Sequence, residues 1–160
     1  MIRLANLADL TQIQSIYAVA RRFMTANGNP YQWNAHYPSD ELLLQDIQHR
    51  QLYVEETDGV VNGVFVLALG EDPTYGVIES GAWLSDAPYG TIHRIASNGA
   101  VPGFFGRCVA FCQERIRHLR IDTHHDNAVM QHLSEKAGFY RCGIIYLANG
   151  DPRIAYEKTE

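Results

Sequence analysis

The feature that most limits what this chain can become is a change of hydrophobic period along it. Leu52 to Glu56 and Val60 to Leu69 are rich in β-branched and aromatic residues and meet at Asp58-Gly59, a dipeptide that accepts the positive φ of a tight hairpin turn. On either side the period lengthens to that of a helix. Upstream, Leu10, Ile13, Ile16, Tyr17 and Ala20 share one helical face; Asp9 with Gln12 is placed to cap its start, and its end is expected near Met24. A second helix starts at Ser39, with Asp40 and Glu41 at the favourable end of its dipole and Leu43 and Ile47 inward. Downstream, Phe105, Cys108, Val109, Cys112, Ile116 and Leu119 line one face of a long amphipathic helix predicted over 103–119. Helical segments before and after a hairpin imply helices packed on a sheet.

The remaining elements fit the same scheme. Residues 2–5 read as a strand, as do Val77 to Leu84 and Thr91 to Ala96, separated by Asp86-Ala87-Pro88. Leu119 to Thr123 is a short strand, and Asn127 to Ala137 a helix closed by Gly138. Phe139 to Ala148 and Arg153 to Lys158 form a final pair turning at Asn149-Gly150. Between the first two helices, residues 26–38 form a loop loaded with Tyr31, Trp33, His36 and Tyr37. The fold class is α/β, a mixed but mostly antiparallel sheet of six to seven strands with four helices. A length of 160 residues suits one domain, 1–160.

Composition excludes several functions. Thirteen Lys and Arg against eighteen Asp and Glu leave a net charge of -5, the wrong sign for a protein whose partner is nucleic acid. No run reaches the ~18 apolar residues of a membrane span and no secretory leader is visible, so no membrane partner and a cytoplasmic location are expected. Cys108, Cys112 and Cys142 are read as reduced core thiols, because C-x-x-x-C is neither a redox pair nor half of a zinc ribbon.

The stretch Ile121-Asp-Thr-His-His-Asp-Asn127-Ala-Val-Met-Gln-His-Leu133-Ser-Glu-Lys136-Ala-Gly138-Phe139 resembles the C-terminal motif of the GNAT superfamily of acyl-CoA-dependent N-acyltransferases: hydrophobic strand, Asn, helix, Leu, Glu-Lys, Gly-Phe. Ile92-His93-Arg94-Ile95-Ala96, followed by a glycine loop and a helix, is similar to that superfamily's fourth strand and pyrophosphate loop. The element order matches throughout. Within the superfamily the chain looks like a bacterial member without an assigned substrate.

The resemblance implies strands four and five splayed apart, acetyl-CoA as co-substrate and no metal. Its pantetheine arm would pair with the backbone of Ile95, Ala96 and Ser97, as an added strand does. Gly103, Phe104, Phe105 and Gly106 open a helix whose free N–H groups suit a diphosphate, with Arg107 as counter-charge. Here the loop departs from the family pattern: Val101 or Pro102 stands where a basic or amide residue is usual, and Phe104 or Phe105 replaces a glycine, bulk expected to hinder close approach. Asn127 is assigned both to the cofactor's arm and to capping the last helix. Ser134 occupies the place of the family's thiolate-protonating tyrosine; a thiol of pKa ~8.5 leaves tolerably without it.

His93 stands where many relatives carry an acid that takes the amine's proton, and a histidine's ordinary pKa of ~6.5 suits a base at neutral pH. Glu79 is the second candidate base, on the strand before. Phe23, Trp33 and Tyr37 are expected to wall the acceptor pocket, with His124 at its lip. His124 and His125, as neighbours at a strand end, are expected to point apart and so share no metal ion. The reading is transfer of an acetyl group to a small-molecule primary amine. The alternatives are a non-catalytic acyl-CoA or small-ligand binding module, or an acetyltransferase for a protein or peptide amine. Homodimerisation stays open.

Overall fold

A computed structural model describes all 160 residues, Met1 to Glu160. Seven strands form one sheet: β1 (Ile2–Leu4), β2 (Leu52–Thr57), β3 (Val60–Leu69), β4 (Gly90–Ser97), β5 (Leu119–Thr123), β6 (Tyr140–Tyr146) and β7 (Pro152–Lys158). Their spatial order is β1-β2-β3-β4-β5-β7-β6. Every neighbouring pair is antiparallel except β4 and β5. Four helices cover the sheet: α1 (Leu10–Ala26), α2 (Asp40–Gln48), α3 (Phe104–Gln113) and α4 (Ala128–Lys136).

β3 is central, so both its faces are buried and it reads as a continuous apolar run rather than an alternating one. Val64 and Val66 pack with Ile13, Ile16, Tyr17 and Leu43 of α1 and α2. Phe65 and Leu67 point the other way, to Phe104, Cys108 and Cys112 of α3. The three cysteines are free and buried, as read from the sequence. No helix is long and apolar enough to cross a membrane.

Four local expectations change. Asp9 makes no side-chain cap for α1; it binds the Arg3 guanidinium at 2.8 and 2.9 Å and the Asn6 N–H at 2.8 Å, while Asn6 caps the preceding 3-10 turn. α1 runs to Ala26, past Met24. α3 stops at Gln113; Ile116 packs on the core from the turn beyond, and Leu119 already belongs to β5, since an apolar residue satisfies a helical stripe and a buried strand equally. Residues 77–84 form no strand. Ser80 and Gly81 adopt φ of 57° and 159°, and only Glu79 pairs, with Ile144, by two backbone bonds of 2.9 and 2.8 Å. A Cβ at Gly81 would collide with the Cys142 carbonyl. This segment instead wraps a buried charge: Glu157 accepts from His118 and Arg120, and the Arg120 guanidinium lies 3.9 and 4.0 Å from the ring centres of Trp83 and Tyr89.

Candidate active site

The site begins with a tear in the sheet. β4 and β5 pair only at Gly90 with Leu119 and Thr91 with Arg120. Beyond that point β4 carries a bulge: His93 faces Val66 and Ala96 faces Val64, so Arg94 and Ile95 together oppose Phe65. The extra residue bends the strand where its partner leaves it. Arg94 sits at φ 49°, a conformation costing a non-glycine residue about 1–3 kcal/mol unless its surroundings hold it. They do. Its guanidinium bonds Asp46 of α2 at 2.8 and 3.0 Å, and its carbonyl accepts the Tyr17 hydroxyl at 2.7 Å.

One side of the tear opens on an apolar cavity of about 650 Å³. Ile95, Ala96 and Ser97 form one wall, α1 contributes Val19, Phe23 and Met24, and α4 contributes Met130, Leu133 and Lys136. Its far end is the start of α3, where Gly103 takes φ 85° and the N–H groups of Gly103, Phe104, Phe105 and Gly106 reach no carbonyl. A Cβ at Gly99 or Gly106 would meet nothing, so this cradle is open. The expected obstruction by aromatic bulk does not arise. Phe104 and Phe105 turn into the core, and the Phe104 ring lies over Gly63, where any Cβ would collide with it. Arg107 corrects another expectation: both ends of its guanidinium fork bond Glu55 at 2.8 Å and a third N–H goes to the Pro102 carbonyl. It braces the loop from behind and is absent from the cavity wall. The cation on that wall is Lys136.

The other side is a polar cavity of about 560 Å³. His93 lines it with Nε2 3.1 Å from Asp72 Oδ2. That hydrogen bond, with the Thr74 N–H and hydroxyl also donating to Asp72, pulls the Asp72 carboxyl down to about 2. An ionised carboxylate can only accept, so Nε2 is the donor in this contact, and in the neutral ring that assigns the lone pair to Nδ1. Asp122 accepts the Tyr75 hydroxyl at 2.6 Å, and burial pushes its pKa up. Asp151, Arg153 and the Asp46-paired Arg94 complete the charged lining, with Trp33 and Tyr37 as aromatic wall. Met24, Ile95, Asn127 and Met130 border both cavities. Asn127 caps α4 by accepting the Met130 N–H at 3.0 Å and donates to Gln32 at 2.8 Å.

Other candidates fall elsewhere. Phe23 borders the apolar cavity rather than the polar one. Glu79 lies outside both, exposed, accepting the Tyr146 hydroxyl at 3.0 Å, because its segment is not the strand that was to aim it inward. Ser134 is fully buried with Oγ unpartnered; α4 turns Leu133 and Lys136, with Ala137 just past its end, to the cavity instead. His124 is buried outside both cavities, its Nδ1 accepting the Asp126 N–H at 3.0 Å. Nor do His124 and His125 diverge. β5 ends at Thr123, and the turn that follows stacks their rings 4.2 Å apart, with ligand atoms of both and of Asp126 within 4.8 Å. Sequence reading missed Asp72, Asp122, Lys136 and Arg153. Asp72-Pro73, three residues past β3 and ahead of Thr74, was the one local cue, as an Asx turn that aims a carboxylate.

Comparison with known proteins agrees with this architecture. No family model matches the sequence, and no curated protein does. Among solved structures, a GNAT-family acetyltransferase from Streptococcus agalactiae 2603 is 32% identical, with a TM-score of 0.87 over 100% of this chain and 95% of that one. A candidate acetyltransferase from Staphylococcus aureus Mu50 is 26% identical, with a TM-score of 0.69 over 99% and 97%. A GNAT-family acetyltransferase from Listeria monocytogenes 4b F2365, 18% identical, shares the fold with a TM-score of 0.71 over 99% and 93%. With a parted β4–β5 junction, an open helix N-terminus beside it and a full-length relative at this identity, the chain belongs to the GNAT family of acetyltransferases.

Proposed function

We propose that the protein transfers an acetyl group from acetyl-CoA to the primary amine of a small molecule by direct attack. The observation that carries this is the meeting of two unlike cavities at Ile95, Asn127 and Met130, one suited to an acyl-CoA and the other holding a base. The apolar cavity fits the donor: unpaired N–H groups at the start of α3 suit a diphosphate, the β4 edge suits the amides of the arm, and Lys136 supplies a positive charge. The donor brings an activated acyl carbon. The chain's own residues do the rest.

An alkylammonium near pKa ~10 cannot attack until it loses a proton. His93 Nδ1 accepts that proton, and the Asp72 carboxylate facing Nε2 stabilises the imidazolium that results. As the nitrogen–carbon bond forms, the carbon–sulfur bond breaks and its electron pair leaves on sulfur; the second proton, acidic once the nitrogen is acylated, passes to solvent or to the departed thiolate. Ser134, sealed in the core, does not protonate it; a thiolate of ordinary pKa ~8.5 departs unaided. Trp33 and Tyr37 wall the acceptor side and shed water from it.

Calorimetry with acetyl-CoA and a thiol-release assay across an amine panel test the reading. Tight binding with amine-dependent thiol release is expected, and His93→Ala should lower kcat/KM about 100-fold or more and flatten the acidic limb of the pH–rate profile. Binding without release by any amine leaves a ligand-binding module and refutes transfer; an unaltered profile in His93→Ala removes it as the base.

A further inference from the structure

From Arg153 we infer that the acceptor amine also carries a carboxylate, so that the substrate class is a free amino acid or a similarly compact amino carboxylate; this rests on the transfer reading above. Two arginines are buried, Arg120 and Arg153. Arg120 has Glu157 at 2.8 Å, and the nearly buried Arg94 has Asp46 at 2.8 Å. Arg153, 5% exposed, stands within 4 Å of no carboxylate. Its guanidinium gives one N–H to the Pro152 carbonyl at 2.9 Å and a longer 3.3 Å bond to the Gln32 carbonyl. A guanidinium has five donors, so most of the fork is unspent, and the residue lines the same polar cavity as His93.

A buried cation with no carboxylate in contact is costly even with Asp122 acting on it at longer range, and the cost is relieved when an anion arrives against it. A planar fork suits a carboxylate, which it can hold by two parallel bonds. The same cavity presents Asp72, Asp122 and Asp151. Asp72 is engaged with His93 and one oxygen of Asp122 with Tyr75. The lining therefore offers one unpaired cation for an acid group and carboxylates for an ammonium, the complement of a zwitterion. A plain alkylamine would leave the Arg153 fork without an anion in contact, which selects against it.

The test is a thiol-release assay with acetyl-CoA and three matched series: the twenty L-amino acids, their carboxamides and their decarboxylated amines. At least one amino acid is expected to exceed its own carboxamide about 100-fold or more in kcat/KM. In Arg153→Met the ratio of kcat/KM for that acid to that for its carboxamide should collapse toward one, at whatever level the two then share; Arg153→Lys should recover part of the ratio. Because Arg153 also touches the Gln32 loop, wild-type protein provides a second readout: with CoA bound, the acid raises the melting temperature and the carboxamide does not. Amines or carboxamides turning over as well as the acids would overturn this inference and leave acetyl transfer standing. Turnover with no member of any series would sink the transfer reading, and this inference with it.

Discussion

Replacing Asp46 by Asn tests whether the β4 bulge is held from outside the strand. Asp46 is 2% exposed and Arg94 faces it with two charged bonds of 2.8 and 3.0 Å. Removing one partner of such a pair strands a desolvated charge and typically costs about 3–5 kcal/mol, a large share of the ~5–15 kcal/mol that holds a domain of this kind together. At roughly 2–4 °C per kcal/mol for a chain of this length, the melting temperature should fall by roughly 6–20 °C. The function should suffer as well. Arg94 holds a left-handed backbone angle next to Ile95, which borders both cavities, and its release lets the strand straighten and close the gap on the donor side. The double variant Asp46→Leu with Arg94→Met restores apolar packing without stranding a charge, so stability should return while acetyl-CoA affinity stays low. Differential scanning calorimetry and donor-binding titrations read the two effects separately. An Asp46→Asn protein that melts within about 2 °C of wild type would refute the argument, and so would a double variant that binds donor normally.

Three further outcomes follow from particular contacts. Asp122 has a folded pKa raised by burial above its ordinary 3.8, so the folded state binds its proton more tightly and stability is lost as pH rises above the unfolded value; Asp122→Asn should melt higher than wild type at neutral pH, with the gain gone by about pH 3, as thermal melts across pH will show. Gly63→Ala drives a methyl group into the Phe104 ring and pushes the start of α3 outward; a loss of about 1–3 kcal/mol with weaker acetyl-CoA binding is expected, and Phe104→Leu in the same chain should recover part of both. Lys136→Met, removing the cation on the apolar cavity's wall, should weaken acetyl-CoA binding and flatten its salt dependence, because that charge acts through a field that ions screen; titrations at low and high salt decide it.

Most of the fold was legible because it is local. The hairpin at Asp58-Gly59 is β2 and β3, the Ser39 cap starts α2 by accepting the Leu42 N–H at 3.2 Å, and Asn127 caps α4. Errors cluster where local preference is ambiguous. Residues 77–84 are rich enough in apolar side chains to read as a strand, yet they wrap the Arg120–Glu157 pair, with the Leu84 N–H reaching the Glu157 carboxylate across 73 positions of sequence. The site was legible only by half. Ile95, Ala96, Ser97, the α3 start, Asn127 and His93 fall together on the cavity walls because a motif orders them along the chain. Asp72, Asp122 and Arg153 come from three separate segments and converge only when β4, β5 and β7 are assembled, so no spacing in the sequence announces them. Ser134 shows the converse: correctly aligned with a motif, it is turned by the phase of α4 away from the cavity it was to serve.

The two halves of the site answer different demands, and that explains why one is readable and the other is not. Holding an acyl-CoA needs backbone: a free strand edge and four unspent N–H groups, which many sequences can supply provided a glycine turns the chain at the right place. That is why Phe104 and Phe105 are tolerated beside the loop, their rings being drawn into the core over Gly63. Selecting an acceptor needs side chains at fixed positions in space, and here they are mounted on strand ends and on the loops they anchor, with Arg153 tied to the Gln32 carbonyl and Gln32 in turn to Asn127. The chain of contacts from acceptor wall to α4 cap means that a bulky or uncharged acceptor displacing Arg153 would also disturb Asn127 at the junction of the cavities. Specificity and donor geometry are then coupled through one amide, and an Asn127→Ala protein should lose discrimination between amino acids and their carboxamides together with acetyl-CoA affinity. Thiol-release kinetics on matched acceptors will check this: loss of donor affinity alone, with discrimination intact, would separate the two halves and refute the coupling.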